Sequence, residues 1–182
     1  MHMGSLRRAW LALVFVAGAA SADTLPLPGN LVDFNSPAGE RYLIEAGAEV
    51  TGVDSAPALL DICRAKFPAQ EWLHGDMRTL RLDRTFGAIL AWHSLFHLTP
   101  ADQLRVLPNF RAHARAGAAL MFTSGPAHGA RIGEWHGEPL YHGSLSPDEY
   151  RALLDANGFD LVEMWLQDPK CGHATIWLAR AR

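Results

Sequence analysis

Three carboxylates and two imidazoles stand where chemistry could use them. Asp33, Asp54 and Asp76 each follow a short apolar run, in "NLVDF", "AEVTGVD" and "QEWLHGD". A carboxylate accepts hydrogen bonds from both hydroxyls of a ribose, which a neutral side chain does less well. Asp54 is the best placed for that task, and Asp76 is placed to accept from an adenine amino group. His93 and His97 lie in "AWHSLFHL". An imidazole titrates near neutrality and takes a proton from an acceptor that must lose one. Further along, the segment 126–143 carries His128, Glu134, Trp135, His136, Tyr141 and His142. Polar and aromatic groups on a long loop suit a lid over a small molecule.

Each of these residues also has an ordinary reading. An acid at a strand end is often a helix cap or a loop residue, and a strand-end His is often bonded to a carbonyl. Three acids in chain order on successive strand ends favour a ligand over three coincidences. A metal site is not expected: His93 and His97 are four apart, but Ser94 stands where the metalloprotease pattern has Glu. Cys171 beside His173 has no third partner for nucleophilic chemistry, and Cys63 reads as a small buried apolar residue.

The elements that must position these residues alternate between strand and helix. Candidate strands are 30–34, 48–54, 70–76, 86–96 and 118–125. Candidate helices are 39–47, 55–68 with Ser55 as cap, 99–117 with Thr99 as cap and a kink at Pro108, and 146–159. The last has Ser146 as cap with Glu149 three residues on. "DLVEMWLQD" and "ATIWLARAR" close the chain as an antiparallel hairpin, and 126–143 reads as loop. The expected fold is α/β: a Rossmann-like, mostly parallel sheet with flanking helices and a C-terminal antiparallel hairpin.

At 182 residues and 49% hydrophobic, the chain has material for one domain with a sizeable core. A net charge of −3 with no basic block gives no footprint for nucleic acid. Residues 1–22 differ from the rest. Arg7 and Arg8 precede the apolar "AWLALVFVAGAA", and Ala20-Ser21-Ala22 offers small residues for cleavage, the pattern of a signal peptide. The run is too short for a permanent membrane anchor. Residues 23–32 then read as linker, with 33–182 as the folded domain.

From Tyr42 onward the sequence resembles the class I S-adenosylmethionine-dependent methyltransferases of the small-molecule kind. The resemblance rests on "YLIEAGAEVTGVDSAPALLDICRAKFPAQEWLHGDMRTL" and "FGAILAWHSLFHLTPADQ", and extends to "GEWHGEPLYHGSLSPDEYRALLDANGF". It implies a cosubstrate site of Asp33, Gly39, Asp54, Ser55, Asp76, Met77, Ala91 and Trp92. Asp54 would hold the ribose, Asp76 with Met77 would face the adenine, and Ala91 with Trp92 would border the methionine moiety. His93 and His97 are then the candidate bases, with Phe96, Trp135, Tyr141 and His142 toward the acceptor. S-adenosylmethionine is made in the cytoplasm, so the resemblance implies a cytoplasmic protein, against export by the signal-like segment.

The opening of the domain departs from this pattern. Where the family has glycines at alternating positions after the acid, this chain reads D-F-N-S-P-A-G-E, with Asn35 and Pro37 in their place. Proline has no amide hydrogen and cannot take positive φ. The segment before the second strand is also about three residues short, nearly a helical turn. "LPLPGNLVDFNSPAGERYL" resembles the start of bacterial phytochelatin synthase-like peptidases, without their catalytic Cys-His-Asp set. That resemblance implies a junction near Gly39 to Tyr42, joining a foreign leader to a methyltransferase without its own first strand and loop. Two functions follow as expectations: methyl transfer to a small molecule, or a non-catalytic relative with a defective cosubstrate loop. A nicotinamide dehydrogenase fits less well, because it needs a glycine-rich turn for a pyrophosphate.

Overall fold

A computed structural model describes residues 13–17, 43–44, 47–135 and 137–182, with the backbone alone at Leu13–Ala17 and Trp135. The strands are β1 (Leu13–Ala17), β2 (Glu49–Asp54), β3 (Glu71–His74), β4 (Phe86–Ala91), β5 (Ala114–Ser124), β6 (Gly129–Trp135), β7 (Glu138–Ser144), β8 (Phe159–Asp168) and β9 (Ala174–Ala181). The helices are α1 (Pro57–Lys66), α2 (Pro100–His113) and α3 (Pro147–Ala156). Seven strands form one sheet in the order β3-β2-β1-β4-β5-β9-β8, and β6 with β7 forms a separate ribbon. The expected α/β sheet with flanking helices and a C-terminal antiparallel pair is what the chain forms.

Alternation along the strands divides the core between the two sheet faces. Ile89, Leu120, Phe122 and Trp177 pack on one side with Val106, Leu107 and Phe110 of α2 and Tyr150 and Leu154 of α3. Ala88, Leu90, Met121 and Ile176 pack on the other with Leu60 of α1, Trp72 and Leu43. β4 is buried at every position, as a strand covered on both faces must be. Each large side chain so buried contributes about 1.5–3 kcal/mol of transfer free energy.

The helix starts follow from local sequence. Thr99 accepts from the Asp102 amide and begins α2 one residue before Pro100. Ser146 and Glu149 form a full capping box ahead of α3. Ser55, expected to cap α1, does not. The cap is Ala56, because Asp54 reaches past Ser55 to accept its amide at 2.6 Å. Three further boundaries move. β4 ends at Ala91 rather than 96, since His93 takes a positive φ of 46° and breaks the strand. α2 stops at His113 and β5 starts at once, earlier than the expected 118. The segment 126–143, read as loop, is largely the β6–β7 ribbon. Its alternation is obscured in sequence because neither face is covered continuously.

The centre of the sheet holds the largest departure. The expected first strand, 30–34, lies outside the described residues. The place between β2 and β4 is taken by Leu13–Ala17, from within the apolar run expected to serve as a leader. This strand runs antiparallel to both neighbours, with Leu13 opposite Val53, Ala17 opposite Glu49, and Val14 opposite Leu90. β2–β3 and β4–β5 are parallel pairs. The end of β1 beside Asp54 is therefore its start, and the chain leaves β1 at the opposite rim.

A chain beginning at residue 23 lacks this strand and leaves two interior edges with unpaired backbone groups. It should lose the cooperative urea transition of the full chain. In the full chain, Val14→Pro removes a ladder hydrogen bond at a central position and should cost about 2 kcal/mol or more. An unchanged transition in both proteins would show that β1 is dispensable.

Candidate active site

The carboxyl ends of β2, β3, β4 and β5 share one rim of the sheet, fixed by the register Asp54 to His74 and Ala91 to Phe122. Ligands of open α/β sheets bind at such a rim. Asp54 ends β2 and is 3% exposed. Its Oδ1 accepts the Ala56 amide, which orients the carboxylate at the start of α1, and its carbonyl accepts the Gly75 amide at 3.0 Å. Ser55, beside it, is exposed.

Asp76 is less available than its position implied. Both of its oxygens accept from the Arg78 guanidinium, and Oδ1 also accepts the Arg78 amide at 2.9 Å. Those bonds hold its carboxyl below the usual carboxylate range. Arg78 is in turn shared with Asp102 of α2. Met77 directs its side chain into the core beside Leu80 and Phe86, while its carbonyl accepts from buried Asn109 at 2.7 Å. Ala91 and Trp92 are both buried at the end of β4. Asp33 and Gly39 lie outside the described residues.

Past β4 the chain turns sharply. The His93 amide donates to Thr123 Oγ1 at 2.9 Å, tying the turn to β5. A short 3-10 turn, Leu95–His97, follows. It brings Phe96 against three imidazoles, with ring centroids 5.6 Å from His93, 4.7 Å from His97 and 5.1 Å from His142, the last stacked. His97 Nδ1 lies 3.3 Å from the Tyr141 carbonyl. Desolvation is the main cause that lowers the pKa of His97, partly offset by that carbonyl. Desolvation also leads in lowering His142, helped by His97 and Arg131. Both imidazoles are therefore neutral, and able to accept a proton, at neutral pH.

The ribbon is latched to the domain by Gln103 of α2, which has no exposed surface. Its amide nitrogen donates to the carbonyls of Leu98 at 3.0 Å and Gly143 at 2.9 Å, and its oxygen accepts from the Tyr150 hydroxyl. Gly143 must be glycine, since a Cβ there would stand 2.7 Å from the Leu98 oxygen. His128, at the foot of the ribbon, bonds Glu149 at 2.8 Å, and Glu149 is held down to about 2 by the Ser146 amide first and His128 second.

Between the rim and the ribbon lies an open cavity of about 410 Å³. His93, Phe96 and His142 line it, with Ser124 and Gly125 from the end of β5, Arg131 from β6, and His173 from the turn before β9. The structure thus gathers His93, Phe96 and His142 at one cavity, with His97 against Phe96 and His142. Tyr141 contributes its carbonyl to His97. The Trp135 side chain and His136 lie outside what is described. Cys171 is 2% exposed and packs in the core. Among the described residues no group of three or more His, Cys, Asp or Glu could hold a metal.

Several contributors were not singled out in the sequence. Thr123, Gln103 and Gly143 read there as ordinary strand, helix and loop residues, and the bonds that tie Thr123 to His93 and Gln103 to Gly143 join distant parts of the chain. Arg131 and His173 had a weak signal, as charged or ionisable residues in unassigned segments. Gly125 had none, although a Cβ there would press Ser144 at 3.0 Å.

A family model described as "Methyltransferase domain" matches residues 38–117. No curated protein matches the chain by sequence. Among solved structures, the glycopeptide N-methyltransferase MtfA complexed with S-adenosyl-L-methionine is 17% identical, with a TM-score of 0.64 over 85% of this chain and 83% of that one. The CcbJ methyltransferase from Streptomyces caelestis is 20% identical, with a TM-score of 0.62 over 76% and 77%. CalS10 from Micromonospora echinaspora, an amino pentose methyltransferase solved with S-adenosylmethionine bound, is 20% identical, with a TM-score of 0.55 over 71% and 72%. At such identities the likeness is one of fold.

Two outcomes test this geometry. Gln103→Leu strands two carbonyls and a hydroxyl in the core and should cost about 2–4 kcal/mol in urea unfolding. The lowered pKa values of His97 and His142 set a pH dependence. Unfolded imidazoles bind protons more readily than these two, so their contribution is complete above about pH 6.5 and is lost as pH falls toward the folded values. Urea midpoints should therefore drop on acidification from about pH 7.5 to about pH 5.5, and drop less in a His97→Gln, His142→Gln double variant.

Proposed function

We propose that this chain, whose residues 38–117 carry a methyltransferase domain, moves the methyl group of S-adenosylmethionine onto a small-molecule acceptor. The observation that carries the reading is Asp54. It is a buried carboxylate at the end of β2, oriented by the Ala56 amide, on the same rim as the imidazole-lined cavity. An acceptor-only group in that place fits the hydroxyls of a ribose. Ala91 and Trp92, buried at the end of β4, would border the methionine moiety. Asp76 fits adenine less well, since Arg78 already occupies both of its oxygens.

When bound, S-adenosylmethionine supplies a methyl on a sulfonium, which leaves as a neutral thioether. The chain's own part is alignment, exclusion of water and management of one proton. The turn at His93, tied to Thr123, sets the border between cosubstrate wall and acceptor cavity. His93, which lines the cavity at the strand ends, and His97, packed on Phe96, are the groups placed to take a proton released by an acceptor hydroxyl or ammonium. Structural neighbours named for glycopeptide and amino pentose substrates support a small acceptor, and a net charge of −3 supports no nucleic-acid partner. The pairing of Leu13–Ala17 inside the sheet supports placement in the cytoplasm, the compartment where S-adenosylmethionine is made. No described helix is long and apolar enough to cross a membrane.

The direction of β1 favours a second reading. In the resembled family the cosubstrate loop follows the first strand at the ligand rim, but here the chain leaves β1 at the opposite rim. A protein that folds in this way and binds cosubstrate poorly would be a non-catalytic relative.

Calorimetric titration of the full chain with S-adenosylhomocysteine separates the two. Methyl transfer requires binding that falls by about tenfold or more in Asp54→Asn, which keeps an acceptor for Ala56 but loses the charge. A folded chain that does not bind selects the non-catalytic reading. Once an acceptor is in hand, loss of the base in His93→Gln or His97→Gln should lower kcat about a hundredfold or more, with little change in KM.

A further inference from the structure

We propose that the acceptor carries a carboxylate, and that Arg131 on the β6–β7 ribbon is its counter-ion. The proposal rests on reading the cavity as the acceptor site, and it adds the chemical class of what enters.

The cavity's ionisable lining is one-sided. It consists of Arg131 and four imidazoles, His93, His128, His142 and His173, with no Asp or Glu among the lining residues. The acid closest in the bonding pattern, Glu149, is already committed to His128 and to the Ser146 amide. Arg131 is exposed and makes no ion pair with any described carboxylate, whereas Arg64, Arg78, Arg84, Arg105 and Arg182 all do. It stands directly across the ribbon from His142, on the same face of the ribbon. Its charge also bears on His142, whose proton it helps to repel.

The arrangement suits one anion of one charge. A guanidinium presents a planar fork that meets both oxygens of a carboxylate. His142 stays neutral beside it and offers a hydrogen bond without a second positive charge. A phosphate dianion would bring two charges to one permanent cation. Stacked against His142, Phe96 gives the apolar wall that an acceptor's body would lie on. His93 sits toward the strand ends, two residues past Ala91, so a carboxylate held at the ribbon would leave the opposite end of the acceptor facing the methyl donor.

The test uses the full chain, with arginine and histidine side chains observed by nitrogen-edited NMR. Benzoate and benzamide serve as probes of nearly equal shape and different charge. Benzoate should shift the Arg131 and His142 signals and bind about tenfold tighter than benzamide, as a charge-assisted pair does. Arg131→Gln should remove the preference, and Arg131→Lys should keep part of it. Equal affinity for both probes overturns the proposal. So does a preference that survives Arg131→Gln, or the absence of any shift at those signals up to the solubility of benzoate. Titrating the same samples with S-adenosylhomocysteine keeps the two readings apart. Cosubstrate binding without a benzoate preference sinks the carboxylate alone. A benzoate preference without cosubstrate binding sinks methyl transfer and leaves the anion site standing.

Discussion

The sheet depends on one filled place. β2 and β4, which reach the rim at Asp54 and Ala91, are held at a fixed separation by a strand between them. An interior edge left open would expose backbone donors and acceptors to an apolar layer, at a cost comparable to a lost hydrogen bond for each group. Leu13–Ala17 meets that requirement from an unexpected part of the chain. An apolar run of β-branched and aromatic residues is interchangeable, to a buried sheet, with any other of similar length. That is why a segment with the marks of a leader can take a strand's place. Its direction is a separate matter. An antiparallel strand closes the ladder as well as a parallel one, but its own C-terminal end then lies at the rim opposite Asp54.

On the rim itself, order comes from a small number of buried polar contacts. Thr123 holds the His93 turn, and Gln103 holds both the 3-10 turn and the ribbon. These contacts join β5, α2, α3 and β7 through side chains with almost no exposure, where an unmet partner is expensive. The consequence is a cluster in which Phe96 stacks on His142 and meets His97 edge-on, desolvated enough to lower the pKa of both imidazoles. Packing and proton affinity are thus the same fact seen twice. The ribbon is less covered, with Ile132 66% exposed, and it presents Arg131 to the open side of the cavity.

The acids at the rim and the imidazoles beside it were unequally legible. Asp54 could be named from its place after an apolar run, because strand ends in an α/β alternation are readable from composition and period. The same logic picks out Asp76, whose carboxylate is engaged by Arg78, two residues away. The imidazoles were visible as residues, but not as a cluster. The contacts that gather His93, Phe96, His97 and His142 span some fifty positions, and no local pattern encodes them.

By itself, the sequence determined the alternation of elements from Glu49 onward, the caps at Thr99 and Ser146, and the hairpin at the C-terminus. These are properties of short windows: hydrophobic period, hydroxyl caps, proline at a helix start. Only the tertiary structure decided which apolar segment fills the centre of the sheet, and in which direction. It also decided that 126–143 pairs as a ribbon over the rim. Pairing is a contest between distant segments of similar propensity, won by the register and coverage available in three dimensions and not by anything within the segment itself.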